Sequence, residues 1–185
     1  MLSPEYPVLT ERLLLRPLVP SDAVAVHAYQ SRADVCRYIP YSPRTLDEVT
    51  ERLQRPDVTR TTLDDAGQAL VLAIVRREDD VLVGDVMLAW TSREHASGEL
   101  GYVLNPEHHG HGYATEAARA ALSLGFDGLG LHRIVARIDA RNGASAAVLR
   151  RLGMRQEAYL RENEWFKGEW TDEIDFALLA SEWRA

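Results

Sequence analysis

The residues that could do chemistry include a glycine-rich segment, His-His-Gly-His-Gly-Tyr-Ala-Thr-Glu, at positions 108–116. It follows a strand-like stretch at 99–104, and apolar residues at helical spacing continue from it to position 126. A helix start carries free amides and partial positive charge, and Gly110 and Gly112 let the backbone approach an anion closely. The segment predicts a phosphate-binding loop; the alternative is that its glycines serve backbone geometry alone.

Two further groups of polar residues lie later in the chain. Asn142 follows a predicted strand and precedes an apolar helical stretch, which is typical of a helix N-cap, and Ser145 would satisfy a first-turn amide. A charged stretch at 161–172 holds Glu162, Glu164 and Glu169, and Glu173 follows it. From the residues alone, each of these glutamates is a solvated surface charge.

Metal and thiol chemistry are weaker interpretations. His108, His109 and His111 lie within four residues, but adjacent ligands on a glycine loop would need a fourth group and orienting partners that the sequence does not indicate. We therefore predict no metal site. Cys36 has no flanking motif of a nucleophile and is expected to be buried.

Composition excludes several classes of protein. The 185 residues are 46% hydrophobic, enough for one well-buried core, and the net charge of −7 argues against a general nucleic-acid binder. An acidic balance suits cationic substrates. One cysteine excludes an internal disulfide, and neither a signal peptide nor a membrane-spanning stretch is indicated, so we expect a cytoplasmic protein that binds no membrane.

The order of predicted elements indicates the fold class. We expect strands at 13–18, 69–76, 81–90, 99–104, 133–139 and 174–179, and helices at 23–31, 45–55, 113–126 and 145–152. Strands that are first antiparallel and then alternate with helices predict an α/β (α+β) fold with a mixed sheet flanked by helices. No repeat or linker interrupts the chain, so we predict one domain over 1–185 with its core at about 10–180.

The segment His109-x-x-Gly112-x-Ala114 resembles the Gln/Arg-x-x-Gly-x-Gly/Ala motif of the GNAT superfamily of acyl-CoA-dependent N-acyltransferases. Stretches at 10–17, 142–145, 152–154 and 164–183 resemble its ribosomal-protein N-terminal acetyltransferase branch, so the resemblance covers nearly the whole chain in order. One departure is His109, which replaces the usual Gln or Arg and leaves a weaker, pH-dependent charge beside the expected pyrophosphate.

The resemblance implies a mostly antiparallel sheet splayed at its middle, between strands 99–104 and 133–139, where the pantetheine arm of acyl-CoA inserts. Val103 and Leu104 would then offer backbone groups to pantetheine, and the glycine loop would enclose the pyrophosphate. The residues expected to contact this cosubstrate are Val103, Leu104, His109, Gly110, His111, Gly112, Tyr113, Ala114, Thr115, Asn142 and Ser145.

The resemblance also assigns catalytic roles. Glu164 matches the branch's proposed base, upstream of a Gly-x-Trp-x-Asp stretch, and Ser145 would stabilise or protonate the leaving thiolate. Tyr102 and Tyr113 are back-up proton donors.

The predicted function is acyl transfer from acyl-CoA to a primary amine, with a protein or peptide N-terminal α-amine as the expected acceptor. Acetyl is the default group, and succinyl or another short acyl group stays open. Two alternatives stay open: the same chemistry on a small amine such as a polyamine or aminoglycoside, and a noncatalytic acyl-CoA-binding module. A homodimer is also left open. We predict that the four tryptophans belong to the core or to the wall of the substrate site, rather than to a platform on which nucleic-acid bases stack: Trp90, Trp165, Trp170 and Trp183.

Overall fold

One eight-stranded sheet with helices on its faces organises the chain. The computed structural model describes residues 1–183, and the strands follow the spatial order β1-β2-β3-β4-β5-β6-β8-β7. Their bounds are β1 Val8–Leu9, β2 Leu13–Pro17, β3 Gln68–Arg76, β4 Leu82–Ser92, β5 Ser97–Leu104, β6 Arg133–Asp139, β7 Arg155–Phe166 and β8 Glu169–Leu179.

Five α-helices connect these strands: α1 Ala23–Gln30, α2 Ala33–Cys36, α3 Leu46–Arg52, α4 Tyr113–Ser123 and α5 Gly143–Arg151. Short 3-10 turns at Pro20–Asp22 and Pro106–His108 precede α1 and α4, and α4 continues into a π turn at Leu124–Gly128. The start of α3 is set by local hydrogen bonds. The Thr45 side chain accepts from the Glu48 amide, and the Glu48 carboxylate accepts from the Thr45 amide.

The helices cover the sheet in two layers. The face of β3 that carries Val71, Ala73 and Val75 packs with α1 and α3, whereas the face with Leu70, Leu72 and Ile74 packs with α4 and α5 in the larger core. Because successive strand residues point to opposite faces, a strand covered on both sides reads as a continuous apolar run. β3 therefore separates the two cores.

All strand pairs are antiparallel except β5 with β6, which pair in parallel. The expected mixed, mostly antiparallel sheet flanked by helices is confirmed. The π turn and α4 form the crossover that a parallel pair requires, because such strands cannot be joined by a tight hairpin.

Three elements, β1, α2 and β7, were not expected from the sequence, and β8 begins at Glu169 rather than at 174. α2 is a single short turn, and β7 was not expected as a strand because its residues are exposed along almost its whole length and show no apolar alternation. β7 lies at one edge of the sheet and its side chains are exposed on both faces, so burial does not select apolar residues there. It also bulges between Leu160 and Glu164, where Asp172 accepts a bond from the Glu162 amide at 2.8 Å.

Membrane insertion finds no support in the helices. Within residues 1–183, each helix is too short or too polar to cross a lipid bilayer.

Candidate functional site

The parallel strands β5 and β6 separate partway along their length. They pair only through Ser97↔Arg133, Gly98↔Ile134 and Glu99↔Val135, although β5 runs on to Leu104 and β6 to Asp139. On its other side β5 remains paired with β4 to its end, including Asp85↔Val103. A wedge-shaped opening therefore lies between the far halves of β5 and β6, and the predicted splay at the middle of the sheet is confirmed.

The glycine loop stands at one end of this opening. Gly110 and Gly112 have φ values of 83° and 82°, a region that residues with a Cβ rarely adopt, and Gly112 is the N-cap of α4. A Cβ built on Gly110 would meet nothing within 4 Å, so the loop presents open backbone. The His109 ring turns back toward β5, with Nε2 at 3.3 Å from the Leu104 carbonyl.

A cleft of about 1100 Å³ runs from the loop into the opening between the strands. All the residues predicted to contact acyl-CoA line it: Val103, Leu104, His109, Gly110, His111, Gly112, Tyr113, Ala114, Thr115, Asn142 and Ser145. Arg12, Arg119 and Arg151 add positive charge to its walls. The cleft thus combines free backbone, a helix N-terminus and cationic side chains, which together suit an elongated polyanionic ligand.

Two hydroxyl groups meet across the opening. Tyr102 on β5 and Ser145 on α5 lie with their side-chain oxygens 2.8 Å apart, and the Tyr102 hydroxyl also donates to the Ser145 carbonyl at 3.1 Å. Burial raises the pKa of Tyr102 to about 12, despite the opposing hydrogen bond from Ser145. Tyr102 therefore keeps its proton at neutral pH and is available as a hydrogen-bond and proton donor in the opening.

The Ser145 position follows from the start of α5. The Asn142 side-chain oxygen accepts from the Ser145 amide at 3.1 Å, so the asparagine is the N-cap that its sequence context predicted. This cap holds the first turn of α5, and with it the Ser145 hydroxyl, against Tyr102.

Glu164 lies elsewhere. It is exposed on β7, outside the residues that line the cleft, and its backbone carbonyl accepts from Thr171 Oγ1 at 3.4 Å. Its neighbour Glu173 on β8 is half-buried, and burial followed by the charges of Asp175 and Glu164 raises the pKa of Glu173. The role of Glu164 as a base stays a prediction.

Part of the cleft wall comes from the segment that follows α1. Asp34, Val35, Tyr38 and Ile39 line the cleft there. Lys167 at the hairpin tip donates to the carbonyl of Cys36 and to that of Tyr41, the latter at 2.8 Å. The hairpin tip is thereby fastened beside this wall.

A second contact fastens the hairpin to the end of β6. Arg141, which follows β6, donates to Glu169 at 2.7 Å and pairs with Asp139. Burial opposes ionisation of Asp139, but its hydrogen bonds with Arg141 outweigh this effect and lower the Asp139 pKa. These ion pairs tie the hairpin to the strand that forms one side of the wedge.

The three histidines of the loop do not assemble a metal site. Across residues 1–183 no group of three His, Cys, Asp or Glu side chains has an arrangement that could hold a metal ion. Burial, followed by the charge of Arg76, lowers the pKa of His108, so this ring is neutral at pH 7. Cys36 is a buried free thiol, 1% exposed, whose Sγ lies 3.3 Å from the Gln30 carbonyl.

Sequence reasoning missed two charged residues at the loop. Arg12 and Glu116 both line the cleft and form an ion pair at 2.7 Å. They are 104 positions apart, so spacing along the chain could not bring them together. Their signal was indirect: Arg12 falls in the stretch at 10–17 that carried the resemblance, and Glu116 ends the glycine-rich segment at 108–116.

The chain is similar to known acetyltransferases in sequence. A family model described as an acetyltransferase (GNAT) domain matches residues 12–155. The N-acetyltransferase YnaD of Bacillus subtilis strain 168 is 34% identical over 95% of this chain and 98% of its own length. A spermidine N(1)-acetyltransferase of Escherichia coli K12 is 26% identical over 92% of this chain and 88% of its own.

Solved structures of acetyltransferases have the same fold as this chain. A GNAT-family acetyltransferase from Bacillus anthracis superposes with a TM-score of 0.84 at 33% identity, covering 94% of this chain and 98% of that one. The Vibrio cholerae spermidine N-acetyltransferase, solved with CoA and spermine, shares the fold at a TM-score of 0.78 and 24% identity, over 94% and 98% of the two chains. The splayed strands, the glycine loop at a helix start and these matches together place the chain in the GNAT family of acyl-CoA-dependent N-acetyltransferases.

Proposed function

We propose that this N-acetyltransferase transfers an acetyl group from acetyl-CoA to the N-terminal α-amine of a protein or peptide, by direct attack within a ternary complex. The observation that carries the proposal is the Tyr102–Ser145 hydroxyl pair, 2.8 Å apart in the wedge between β5 and β6. A proton donor at the point where two strands separate is suited to a thioester held between them.

The cleft fits acetyl-CoA in its chemistry. Positive-φ glycines and the start of α4 offer backbone amides and partial positive charge to the pyrophosphate. The far part of β5, from Leu100 to Leu104, has no pairing with β6, so its backbone edge is available to the amide groups of pantetheine. Acetyl-CoA supplies an activated thioester, and the chain supplies position and proton transfer.

The reaction needs two proton transfers, one to the departing thiolate and one from the attacking amine. Tyr102, with Ser145 beside it, would donate a proton to the departing thiolate, because its hydroxyl lies in the opening and is protonated at neutral pH. Glu164 would accept the proton of the attacking amine, directly or through water. An α-amine has an unperturbed pKa of about 7.7–8.0, so a modest base suffices near neutral pH.

Two exposed tryptophans on the β7–β8 hairpin support a peptide as the acceptor. The β7–β8 hairpin presents Trp165 and Trp170 at 62% and 57% exposure, with their rings 5.5 Å apart, and Lys167 holds the hairpin tip beside the cleft wall. Exposed aromatic rings there would provide contact area for the residues that follow a peptide N-terminus. A small amine would leave this surface unused.

A polyamine is the second candidate acceptor. Relatives named spermidine N(1)-acetyltransferase match 92% of this chain, and the net charge of −7 favours cationic substrates of either kind. Asp34 at the cleft wall and Glu164, Glu173 and Asp175 on the hairpin would attract an ammonium group. The charges therefore leave the choice between these acceptors to experiment.

A competition assay tests the acceptor. The wild-type protein is given acetyl-CoA and an equimolar panel of free N-terminal peptides, N-blocked lysine peptides, spermidine and an aminoglycoside, at two salt concentrations. We expect the free peptides with nearby positive charge to have the highest kcat/KM, with a rate that falls as salt screens attraction. Preferred acylation of spermidine or of blocked peptides would refute the α-amine proposal.

We also propose a cellular compartment for the protein. The buried free thiol of Cys36 suits a reducing compartment, and we place the protein in the cytoplasm as one GNAT domain.

A further inference from the structure

Before the glycine loop, the chain at Thr10–Arg12 is held firmly to the sheet. The Arg77 amide donates to the Arg12 carbonyl at 2.9 Å, and Arg77 Nη1 donates to the Thr10 carbonyl at 2.7 Å. Leu13, the next residue, starts β2 and pairs with Arg76. Arg12 therefore projects from a fixed base at the edge of the cleft.

From this base, the Arg12 side chain reaches both the loop and α4. Its Nη1 donates to the His111 carbonyl at 2.9 Å, and its Nε and Nη2 donate to Glu116 Oε2 at 2.8 and 2.7 Å. The guanidinium also lies 5.1 Å from the centre of the Tyr113 ring. One side chain thus contacts the loop, the first residue of the helix and the acid one turn later.

Glu116 is held from a second direction. Its Oε1 accepts from the Thr10 hydroxyl and from the Arg12 amide, each at 2.7 Å. Burial opposes ionisation, but these bonds outweigh it and lower the Glu116 pKa. The carboxylate is therefore charged at neutral pH, in the first turn of the helix where a phosphate is expected.

We propose that Arg12 and Glu116 are positioning residues that hold the glycine loop in its anion-binding form, and that Arg12 also neutralises Glu116 so that its charge does not repel the pyrophosphate of acetyl-CoA. The inference rests on the proposed function.

The first part of the mechanism is geometric. A trans peptide is planar, with its carbonyl and its N–H pointing in opposite directions. Fixing the His111 carbonyl against Arg12 therefore fixes the direction of the Gly112 N–H, which belongs to the same peptide unit. Because Gly110 and Gly112 lack side chains and adopt positive φ, the loop has little restraint of its own.

The second part is electrostatic. Most donors of Arg12 are taken by Glu116 and His111, so the guanidinium serves protein groups rather than a ligand. An unpaired Glu116 at the cleft wall would oppose binding of an anion. Removing Arg12 should therefore weaken CoA binding chiefly when Glu116 keeps its negative charge.

The test compares Arg12→Gln, Glu116→Gln and the double variant, with Arg55→Gln as the control, because Arg55 forms an exposed ion pair with Asp57 away from the cleft. CoA affinity is measured by calorimetry, which needs no acceptor, and turnover is measured with acetyl-CoA and with acetyl-pantetheine, which lacks the pyrophosphate.

For Arg12→Gln we expect Kd for CoA and KM for acetyl-CoA to rise about tenfold, within the range of coupled charged pairs, while kcat changes less than about twofold. In the double variant, CoA affinity should recover to within about threefold of Glu116→Gln. Turnover of acetyl-pantetheine should be unchanged in all variants, since no pyrophosphate enters.

Three outcomes would overturn the proposal. A double variant that binds CoA as weakly as Arg12→Gln would mean that Arg12 contacts the phosphates directly. A parallel loss of acetyl-pantetheine turnover would mean a general effect on the fold or the chemistry. If Arg12→Gln does not fold, Arg12→Lys keeps the charge without the two-pronged contact, and unchanged CoA affinity in that variant would exclude a positioning role.

The two proposals can fail separately. If the wild-type protein binds CoA but acylates no amine of the panel, the proposed acceptor fails, whereas the CoA affinities still decide the role of Arg12.

Discussion

At the scale of single residues, the Tyr102–Ser145 pair places a protonated phenol in the opening between β5 and β6. The Tyr102 phenol is enclosed between β5 and α5, with its pKa raised to about 12, and its oxygen lies 2.8 Å from that of Ser145. A phenol that does not ionise at neutral pH can donate repeatedly, since the departing thiolate takes a proton that solvent can restore. The position of this tyrosine in the opening between β5 and β6, rather than its raised pKa, is what would make it a useful donor.

Tyr102→Phe removes this donor with little change in shape. We expect kcat to fall about 100-fold with KM nearly unchanged, a smaller loss for Ser145→Ala, and a double variant scarcely slower than Tyr102→Phe, because the hydroxyls act as one unit. Steady-state kinetics with acetyl-CoA provide the measurement. If the kcat of the double variant fell by the product of the two single losses, the Tyr102 and Ser145 hydroxyls would act independently.

The same pair makes a prediction about pH. A free tyrosine ionises near pH 10. Because the Tyr102 pKa is about 12, loss of its proton should not lower kcat between about pH 9 and 11. A kcat–pH profile of the wild type against Tyr102→Phe checks this, and a descending limb near pH 10 that is absent from the variant would contradict it.

Glu164→Gln tests the base, with Glu173→Gln as its matched control on the neighbouring strand. We expect a loss in kcat of about 100-fold for Glu164→Gln, greatest at low pH where the amine is hardest to deprotonate, and little change for Glu173→Gln. Glu173 is a demanding control, because burial and the charges of Asp175 and Glu164 raise its pKa toward that of a useful base. The reverse order of losses would assign the base to Glu173.

At the scale of elements, the loop and α4 form a unit in which glycine is needed for conformation. A residue with a Cβ at φ near 82° costs about 1–2 kcal/mol. At Gly112 the added atom would also approach Arg12 Nη2 at 3.5 Å, beside the helix start that the anion would use. The conformational cost and the binding effect therefore need to be separated.

Gly112→Val and Gly67→Val separate them. Gly67 has a similar φ of 87°, with nothing within 4 Å of an added Cβ, and lies outside the cleft. Both variants should lose similar stability in denaturant unfolding, but only Gly112→Val should weaken CoA binding, by about tenfold or more. Equal CoA affinity in the two folded variants would show that the anion does not bind at this loop.

At the scale of the whole molecule, a polar pair lies buried between the sheet and α1. The Tyr29 hydroxyl donates to Asp85 at 2.5 Å, and the two residues are 0% and 7% exposed. Burial raises the Asp85 pKa above its usual value of 3.8, although bonds with Tyr29 and the charges of Arg52 and Arg44 act in the opposite direction. Ionised Asp85 is therefore costly to the fold.

Asp85→Asn should stabilise the protein at neutral pH. With a raised folded-state pKa, protonated Asp85 contributes stability below about pH 3.8 that is lost as pH rises through the folded value. The variant should thus exceed the wild type by about 1 kcal/mol at pH 7 and by less near pH 4. Urea unfolding at both values measures this, and a less stable variant at pH 7 would show that pairing with Arg44 and Arg52 dominates.

Several features could be read from the sequence because they depend on local chemistry. The strand at Arg133–Asp139 and the helix that begins at Tyr113 were predicted at their observed starts, since apolar spacing and glycine punctuation are properties of neighbouring residues. The Asn142 cap is equally local. In contrast, β7 gave no periodic signal, because it is an exposed edge strand whose pairing with β8 alone defines it.

By itself, the sequence determined the order of most elements, the loop that precedes α4 and, through resemblance, the GNAT family. Tertiary structure alone decided which groups meet: Tyr102 with Ser145, Arg12 with Glu116, and the hairpin tip with the Cys36 carbonyl, separated by 43, 104 and 131 positions. It also left Glu164 exposed on β7 rather than in the cleft. The physical reason is that local propensities act over a few residues, whereas distances across a sheet depend on strand order, register and the point at which β5 and β6 separate.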